Sequence, residues 1–217
     1  MTISYYLKIT TILGIAAFLS CISLRAGGTP VTAVAAGAAH SLYVTCDGSL
    51  YTMGSNYYGQ LGDGTGGKDD GAYKITAIKV ASNVVAVAGG INHSLYATSD
   101  GSLYAMGYNE YGQLGDGSLT NRNKPTRVAG ATNVIAVAAG GDHSFYLTKD
   151  GRLYAMGDNS LGQLGDGKGG YYGDEKYIST PVLVDTDVVT MAAGTMHSLY
   201  VKKTATSMPW DKMKKAS

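Results

Sequence analysis

The chain has 217 residues, enough for one sizeable core, and its 17 Lys and Arg residues nearly balance its 16 Asp and Glu residues. Because the charges balance, the chain has no strong electrostatic field that would attract nucleic acid or acidic lipid. No nucleic-acid partner is therefore expected. The composition stands out in two residues, with 31 Gly and 17 Tyr beside 2 Phe and 1 Trp. Many glycine turns joined by short aromatic strands favour an all-β fold.

The first 26 residues are typical of a secretory signal peptide. Lys8 precedes an uncharged segment at 9–24, and small residues follow at 26–28. The segment is shorter than the ~20 residues of a membrane-spanning helix, which favours cleavage over an uncleaved anchor. A third alternative is lipid attachment at Cys21, because residues 18–21 loosely resemble a bacterial lipobox. We therefore expect a secreted or cell-envelope protein that contacts membrane only through this segment.

Two sequence strings then recur with a period of about fifty residues. The copies of the first, VAAGAAHSLY, lie at 34–43, 87–96, 137–146 and 191–200. The copies of the second, MGSNYYGQLGDG, lie at 53–64, 106–117 and 156–167. Recurrence at a fixed period predicts structural units that stack on one another.

Within one unit the pattern predicts short strands joined by tight turns. The apolar run at 84–88 and the segment 94–98 predict two strands. Asp100-Gly101 predicts a hairpin turn, because glycine supplies the positive φ that such a turn needs. The segment 103–106 predicts the returning strand.

After a glycine-rich loop, the unit ends in a predicted strand at 126–128, behind Pro125. Four antiparallel strands form one blade of a β-propeller, so residues 31–203 predict a partial propeller of about three full blades and one partial blade. Repeated glycines are expected where the backbone turns or approaches the next blade, since a Cβ would clash there. These glycines are Gly59, Gly62, Gly112, Gly115, Gly162 and Gly165.

The strings GxxHSxxL, DGxLY and GxNxxGQLGxG resemble the regulator of chromosome condensation (alpha-tubulin suppressor-like) repeat family, and the N-terminal signal suggests its bacterial secreted type. The resemblance spans residues 31–201 and departs where Met53, Met106 and Met156 stand in place of a frequent tryptophan. It implies a ring of about seven blades whose face holds protein partners. It also implies a less favoured function, guanine-nucleotide exchange on a small GTPase, against which the signal and the lack of a basic tail argue.

Residues 204–217 look unlike any part of the repeat. One base lost in the codons for Lys202 and Lys203 would explain the change, because the other reading frame permits residues that fit the repeat at 100–113. We expect a frameshifted tail on a truncated propeller, and the alternative is a natural divergent terminus. An open ring exposes blade faces and strand edges, which predicts self-association, with two copies closing one ring, or aggregation.

No enzyme site, metal site or cofactor is expected. A catalytic group must be unique in its pocket, whereas the histidines recur at one position of every unit and are expected to hydrogen-bond backbone near blade junctions. These histidines are His40, His93, His143 and His197. The acidic segment 63–71 could form a calcium loop, but turn formation is favoured. Cys46 is expected to be a turn residue with a free thiol.

Function in a repeat protein usually lies where the units differ, here in the loops after each GDG at 65–76, 118–124 and 168–179. These loops are expected on one face of the ring, and their aromatic and charged residues are typical of protein-binding surfaces. The candidate residues are Lys68, Asp69, Asp70, Tyr73, Arg122, Tyr171, Tyr172, Asp174, Glu175 and Tyr177. The alternative is a set of solvated loops that bind nothing.

The sequence thus predicts an extracellular scaffold for protein-protein interaction. One alternative is a glycan-binding or non-catalytic part of a larger extracellular protein, with exposed tyrosines as stacking platforms. The other is the exchange activity noted above.

Overall fold

A computed structural model of the chain describes residues 29–67, 72–170 and 176–203. The predicted signal segment with Cys21 and the predicted frameshifted tail lie outside the described residues. Regular structure within the described ranges consists of fourteen β-strands. No helix in those ranges has the length and apolar character needed to cross a membrane.

The strands group into three complete blades and one pair. Blade 1 consists of β1 Val31–Ala36, β2 His40–Thr45, β3 Leu50–Ser55 and β4 Tyr73–Ala81. Blade 2 consists of β5 Val84–Gly89, β6 His93–Thr98, β7 Leu103–Gly107 and β8 Arg122–Arg127. Blade 3 consists of β9 Val134–Ala139, β10 His143–Thr148, β11 Leu153–Asp158 and β12 Tyr177–Asp185. The pair consists of β13 Val188–Ala193 and β14 Ser198–Lys202, called blade 4 below.

Each complete blade is a four-stranded antiparallel sheet in sequential order, and blade 4 is two-stranded in the described residues. The innermost strands β1, β5, β9 and β13 contact their neighbours in turn, and their last residues, with the turns that follow them, line an open cavity of about 320 Å³. The prediction of an all-β partial propeller with four-stranded blades is therefore confirmed.

The predicted last strand of the second unit is wrong in its bounds. It was expected at 126–128 behind Pro125, but β8 begins at Arg122 and includes that proline. A proline lacks the N–H that a central strand needs, yet β8 is an edge strand bonded to β7 alone. Pro125 lies where the register shifts between Ala105 and Gly107, so the ladder loses no bond there.

Successive side chains of the second strand point to opposite faces of the sheet, so they contact different neighbouring blades. Leu42 and Val44 of blade 1 are buried in one cluster with Tyr96 and Met106 of blade 2. Blades 2 and 3 repeat this contact through Leu95, Tyr146 and Met156. Each junction therefore joins a leucine-bearing face to a face that carries tyrosine and methionine.

The two ends of the blades carry different connections. Because the strands are sequential and antiparallel, the β1–β2 turn and the β3–β4 loop lie at one end of the blade. We call this end the loop face. The β2–β3 hairpin and the link to the next blade lie at the other end, which we call the hairpin face.

Candidate functional site

The loop between the third and fourth strands is organised by one buried asparagine in each blade. In blade 1, Oδ1 of Asn56 accepts a hydrogen bond from the backbone N of Leu61 at 3.0 Å, and Nδ2 donates to Asp63 at 3.0 Å. Asn109 and Asn159 make the matching bonds in blades 2 and 3. One side chain thereby fixes a loop that has no regular structure of its own.

The loop also packs on the next blade, which requires glycine at Gly59 and Gly112. Their φ angles are 84° and 81°, in the left-handed region that disfavours a side chain. A Cβ would lie 2.5 Å from Cα of Asn123 at Gly59 and 2.7 Å from Cα of Ser179 at Gly112. The other repeated glycines, Gly62, Gly115, Gly162 and Gly165, have φ angles from 68° to 75°.

The carboxylates of these loops form hydrogen bonds and ion pairs within their own blade. Asp63 accepts from the backbone N of Thr65 at 2.9 Å and pairs with Lys74 at 3.4 Å. Burial alone would raise the pKa of Asp63, but hydrogen bonds from Thr65 and Asn56 lower it below its usual value. In the ranges that the structure covers, no group of three His, Cys, Asp or Glu side chains could hold a metal ion. Cys46 is exposed with a free thiol.

Three of the four repeated histidines, His40, His93 and His143, lie at blade junctions, whereas His197 is exposed. Nε2 of His40 is 2.9 Å from Oγ of Ser94 in the next blade, and that hydroxyl donates to the carbonyl oxygen of Gln60 at 2.8 Å. Since a serine has one proton to donate, His40 is the donor to Ser94. The expected bond to backbone is thus made through a serine. The equivalent contacts are His93–Ser144–Gln113 and His143–Ser198–Gln163.

Burial keeps these imidazoles neutral. Desolvation lowers the pKa of His93 to about 3, and the neighbouring histidines add to the effect. Desolvation also lowers the pKa of His40 to about 4, against a backbone hydrogen bond at His93, and that of His143 to about 4, against the charge of Asp158. A neutral, buried ring that joins two blades has a structural role.

The loop face carries a line of tyrosines that crosses two blade junctions. The rings of Tyr58 and Tyr108 are 4.8 Å apart, those of Tyr108 and Tyr111 are 5.8 Å apart, and those of Tyr111 and Tyr177 are 5.0 Å apart. We call these four residues the tyrosine row. The ammonium of Lys176 lies 5.0 Å from the ring centroid of Tyr177 at one end.

A second tyrosine pair extends this surface. Tyr57 and Tyr73 meet edge to face at 5.8 Å, and Tyr73 is 62% exposed. Tyr58 and Tyr177 are each 39% exposed. The rings thus combine fixed mutual contacts with accessible edges and hydroxyls, which is the character of a protein-binding surface.

The structure describes three of the ten predicted partner-binding residues. Tyr177 belongs to the tyrosine row, and Tyr73 lies beside it. Arg122 instead closes its own loop, since Nε is 2.6 Å from Asp116 and Nη2 is 3.2 Å from Oγ of Ser118. The remaining seven, Lys68, Asp69, Asp70, Tyr171, Tyr172, Asp174 and Glu175, lie outside the described residues.

Sequence reasoning missed Tyr57, Tyr58, Tyr108 and Tyr111. They precede GQLGDG in the strings NYYGQ and YNEYGQ, which were assigned to the constant part of the repeat. The third copy reads NSLGQ, so the tyrosines vary among the units as a binding surface would. That variation was the available signal.

The repeat matches a described family. The profile of the regulator of chromosome condensation (RCC1) repeat matches residues 47–97, 100–147 and 150–201, and a second profile of the same repeat matches 31–60, 84–113 and 134–163. The chain is 37% identical over 99 residues to the ultraviolet-B receptor UVR8 of Arabidopsis thaliana, covering 46% of this chain and 22% of that protein. It is 44% identical over 96 residues to the RCC2 homolog of Xenopus laevis, covering 43% of this chain and 18% of that protein.

Solved structures of this fold are also similar. Human WBSCR16 superposes with a TM-score of 0.69 at 29% identity, covering 80% of this chain and 45% of that chain. Yeast RCC1 (Prp20), solved with Kap60 bound to it, superposes with a TM-score of 0.69 at 26% identity, covering 82% of this chain and 43% of that chain. The chain thus spans about a fifth of the matched curated relatives and less than half of the matched solved chains.

Proposed function

Because the chain belongs to the regulator of chromosome condensation (RCC1) repeat family, we propose that it is a non-catalytic propeller scaffold that binds a protein partner through its loop face. The observation that carries this proposal is the tyrosine row. Tyrosine supplies a large contact area with a polar tip and is enriched in the central residues of interfaces. Rings already held by one another lose little side-chain entropy when a partner binds.

The near-neutral charge of the chain favours a partner that is recognised by its shape over one that is recognised by its charge. The whole chain has a formal net charge of +1, so no strong field selects one sign of partner. Near the row, the exposed Glu110 accepts a hydrogen bond from the hydroxyl of Tyr108 at 3.0 Å, and Lys176 lies over Tyr177. Such local charges give orientation at the rim of an interface.

The absence of catalysis is part of the same proposal. The conspicuous polar side chains recur in every blade and are engaged in blade structure, as the His40–Ser94–Gln60 contact illustrates. A catalytic group requires a pocket unlike the rest of the protein and a neighbour that shifts its pKa. A side chain that recurs in every blade has similar surroundings each time and lacks such a pocket.

Crosslinking from the loop face tests the scaffold. A photoreactive phenylalanine analogue in place of Tyr58 or Tyr111 is expected to capture one protein from envelope extract, whereas the same analogue in place of Lys149, on the hairpin face, is expected to capture none. Binding of the purified partner should then weaken about tenfold or more in Tyr58→Ala and Tyr111→Ala. Equal capture from both faces would reject the loop face as the binding surface.

A second candidate function is guanine-nucleotide exchange on a small GTPase. The crystal structure of yeast Prp20p, a protein reported to bind Gsp1p and histones, superposes on this chain with a TM-score of 0.69 at 24% identity, which shows a shared fold. Nucleotide release from purified Gsp1p separates the candidates. We expect no acceleration by this chain, and a dose-dependent acceleration would favour exchange.

We also propose that the protein reaches the cell envelope or the exterior. The composition of residues 1–26 supports this, through one lysine and the apolar run that follows it. N-terminal sequencing of the exported protein tests cleavage, and palmitate labelling of wild type against Cys21→Ala tests a lipid anchor. An uncleaved, unlipidated cytoplasmic product would contradict the proposal.

Self-association is the last part of the proposal, and the exposed faces of blades 1 and 4 support it. Met106 and Met156 are fully buried at junctions, whereas Met53 at the same position of blade 1 is 37% exposed. On blade 4, Leu199 is 70% exposed although its counterpart Leu95 is fully buried. These two faces are the complementary halves of the junction used between blades, so a second copy can cover them.

A further inference from the structure

Two pockets of the same construction lie between consecutive blades on the hairpin face. The first, of about 500 Å³ between blades 1 and 2, is lined in part by Ala81, Asn83, Tyr96, Tyr104 and Pro125. The second, of about 250 Å³ between blades 2 and 3, is lined in part by the matching residues Ala129, Asn133, Tyr146, Tyr154 and Pro181. The recurrence makes the pocket a property of the junction.

Each pocket contains a largely buried tyrosine whose hydroxyl has no protein partner among the described residues. Tyr96 and Tyr146 are 4% and 3% exposed, and their rings stack on Tyr104 and Tyr154 at 5.1 Å and 4.9 Å. Within the described part of the chain, neither hydroxyl makes a hydrogen bond. Desolvation raises the pKa of both phenols, so they stay protonated donors at neutral pH. Neither hydroxyl oxygen is fully enclosed, so each can bond to water or to a ligand in the pocket.

At the third junction the equivalent hydroxyl has a protein partner. Tyr200, the counterpart of Tyr96 in blade 4, donates to Asp185 of blade 3 at 2.9 Å, and Lys202 pairs with the same carboxylate at 2.6 Å. Asp185 is the last residue of β12, as Ala81 is the last residue of β4. The corresponding residue of blade 2 is Ala129. Alanine therefore replaces the carboxylate at the two junctions that carry a pocket.

The two pockets differ in charge, because the lining of the first holds a carboxylate and no cation, whereas the lining of the second holds an ion pair. Asp100 accepts a hydrogen bond from Thr98 at 2.6 Å and lies in a hairpin turn, and Asp150 forms an ion pair with Arg152 at 3.0 Å. The amides of Asn83 and Asn133 offer both a donor and an acceptor. The proline rings offer an apolar wall. A ligand that matches this lining has neutral hydroxyls and an apolar C–H face.

We propose that the two inter-blade pockets are binding sites for a neutral pyranose sugar, with a sugar oxygen accepting the hydrogen bond from Tyr96 or Tyr146. The sugar's C–H face packs on Pro125 or Pro181, and its other hydroxyls bond with Asn83 or Asn133. These sites lie on the face opposite the tyrosine row, so they act independently of the proposed protein partner. Two equivalent sites on one chain favour polymers with repeated sugars over a single sugar, through a higher effective concentration.

The chain provides its own matched variant. Ala81→Asp with Ala129→Asp installs the carboxylate that Asp185 supplies at the third junction, which should satisfy the tyrosines and occupy both pockets. Glucose, galactose, mannose and N-acetylglucosamine are titrated against the full chain, and binding is read by saturation-transfer NMR. We expect binding of at least one sugar to wild type, and binding weaker by about tenfold or more in the double variant, whose cooperative thermal unfolding would show that it is folded. Ala38→Asp, in an exposed turn of the loop face, should bind as wild type does.

A second pair of variants covers the case in which the double variant fails to fold. Tyr96→Phe with Tyr146→Phe removes the two donors and keeps the rings, and it should also weaken binding. No sugar signal from folded wild type at tens of millimolar would mean that water alone fills the pockets, which overturns the proposal. Equal binding by wild type and the folded aspartate variant would overturn it as well, and stronger binding of glucuronate than of glucose would overturn the neutral assignment.

Discussion

Nε2 of His93 lies 2.9 Å from the hydroxyl of Ser144, a residue 51 positions later in the chain and one blade further round the ring. The serine hydroxyl donates a hydrogen bond to the carbonyl oxygen of Gln113 at 2.8 Å, so one hydroxyl joins two blades. His93 and Ser144 are both fully buried. Buried polar groups joined in this way resist separation of the blades, because each partner left alone would be unsatisfied.

Ser144→Ala is expected to lower the free energy of unfolding by about 1–3 kcal/mol, because it leaves His93 and the Gln113 carbonyl without a partner. Urea denaturation followed by circular dichroism measures the change. Ser41→Ala is the matched control, because Ser41 has no histidine partner among the described residues. Equal losses in the two variants would show that the contact does not stabilise the fold.

Acid is expected to weaken the fold through the same histidines. The pKa of His93 is about 3 in the folded chain against an ordinary value of 6.5, and the pKa of His40 is about 4. Between these values and 6.5 the unfolded chain binds more protons, so stability present above pH 6.5 is lost as the pH falls towards 4. The slope is at most ~1.4 kcal/mol per pH unit for each histidine. Urea midpoints from pH 7.5 to pH 4.5 measure it, and a flat profile for wild type or an undiminished slope in His93→Gln would contradict the assignment.

Gly90→Ala is expected to destabilise the fold by about 1–3 kcal/mol or more through overpacking. A Cβ at Gly90 would lie 2.1 Å from Cε1 of His93, whose ring is fully buried and cannot move aside. Gly194→Ala makes the same change beside His197, which is exposed and free to shift. Thermal unfolding of both variants should show a large decrease for Gly90→Ala and a small one for Gly194→Ala. A reversed order would exclude the histidine ring as the obstacle.

The 217-residue polypeptide is expected to associate reversibly, with Met53 and Leu199 at the contact. Sedimentation velocity at increasing concentration measures the association. Met53→Lys with Leu199→Lys should shift the population to monomer, because burying two ammonium groups in an apolar junction is unfavourable. Leu119→Lys is the control, since Leu119 is 51% exposed in the blade 2 loop, away from both end faces. A wild type that stays monomeric at high concentration would contradict the proposal.

Much of the blade could be read from the sequence, because its strings carry local information. Asp100-Gly101 marks the hairpin, and the apolar run at 84–88 predicts the strand that forms as Val84–Gly89. The start of β8 was missed because Pro125 reads as a boundary, and its edge position becomes visible only when the sheet is assembled.

The contacts between blades were harder to predict than the blades themselves. Ser94 follows His93 directly in the sequence, yet it bonds to His40 of the preceding repeat. Reading one unit at a time hides such a pairing. The tyrosine row and the inter-blade pockets also need side chains from two units, and the difference between Ala81 and Asp185 gains meaning only when the units are placed side by side.

Leu95 faces blade 3 and Tyr96 faces blade 1, so each sheet has one side that carries leucine and another that carries tyrosine, each with a fixed chemistry. Removing or duplicating one fifty-residue module would therefore bring together surfaces that already match. The gene can lengthen or shorten by whole modules while each new boundary reuses an existing fit. Variation in copy number is then the change that this architecture tolerates best, and variation in the loop face would alter the surface that we propose binds a partner.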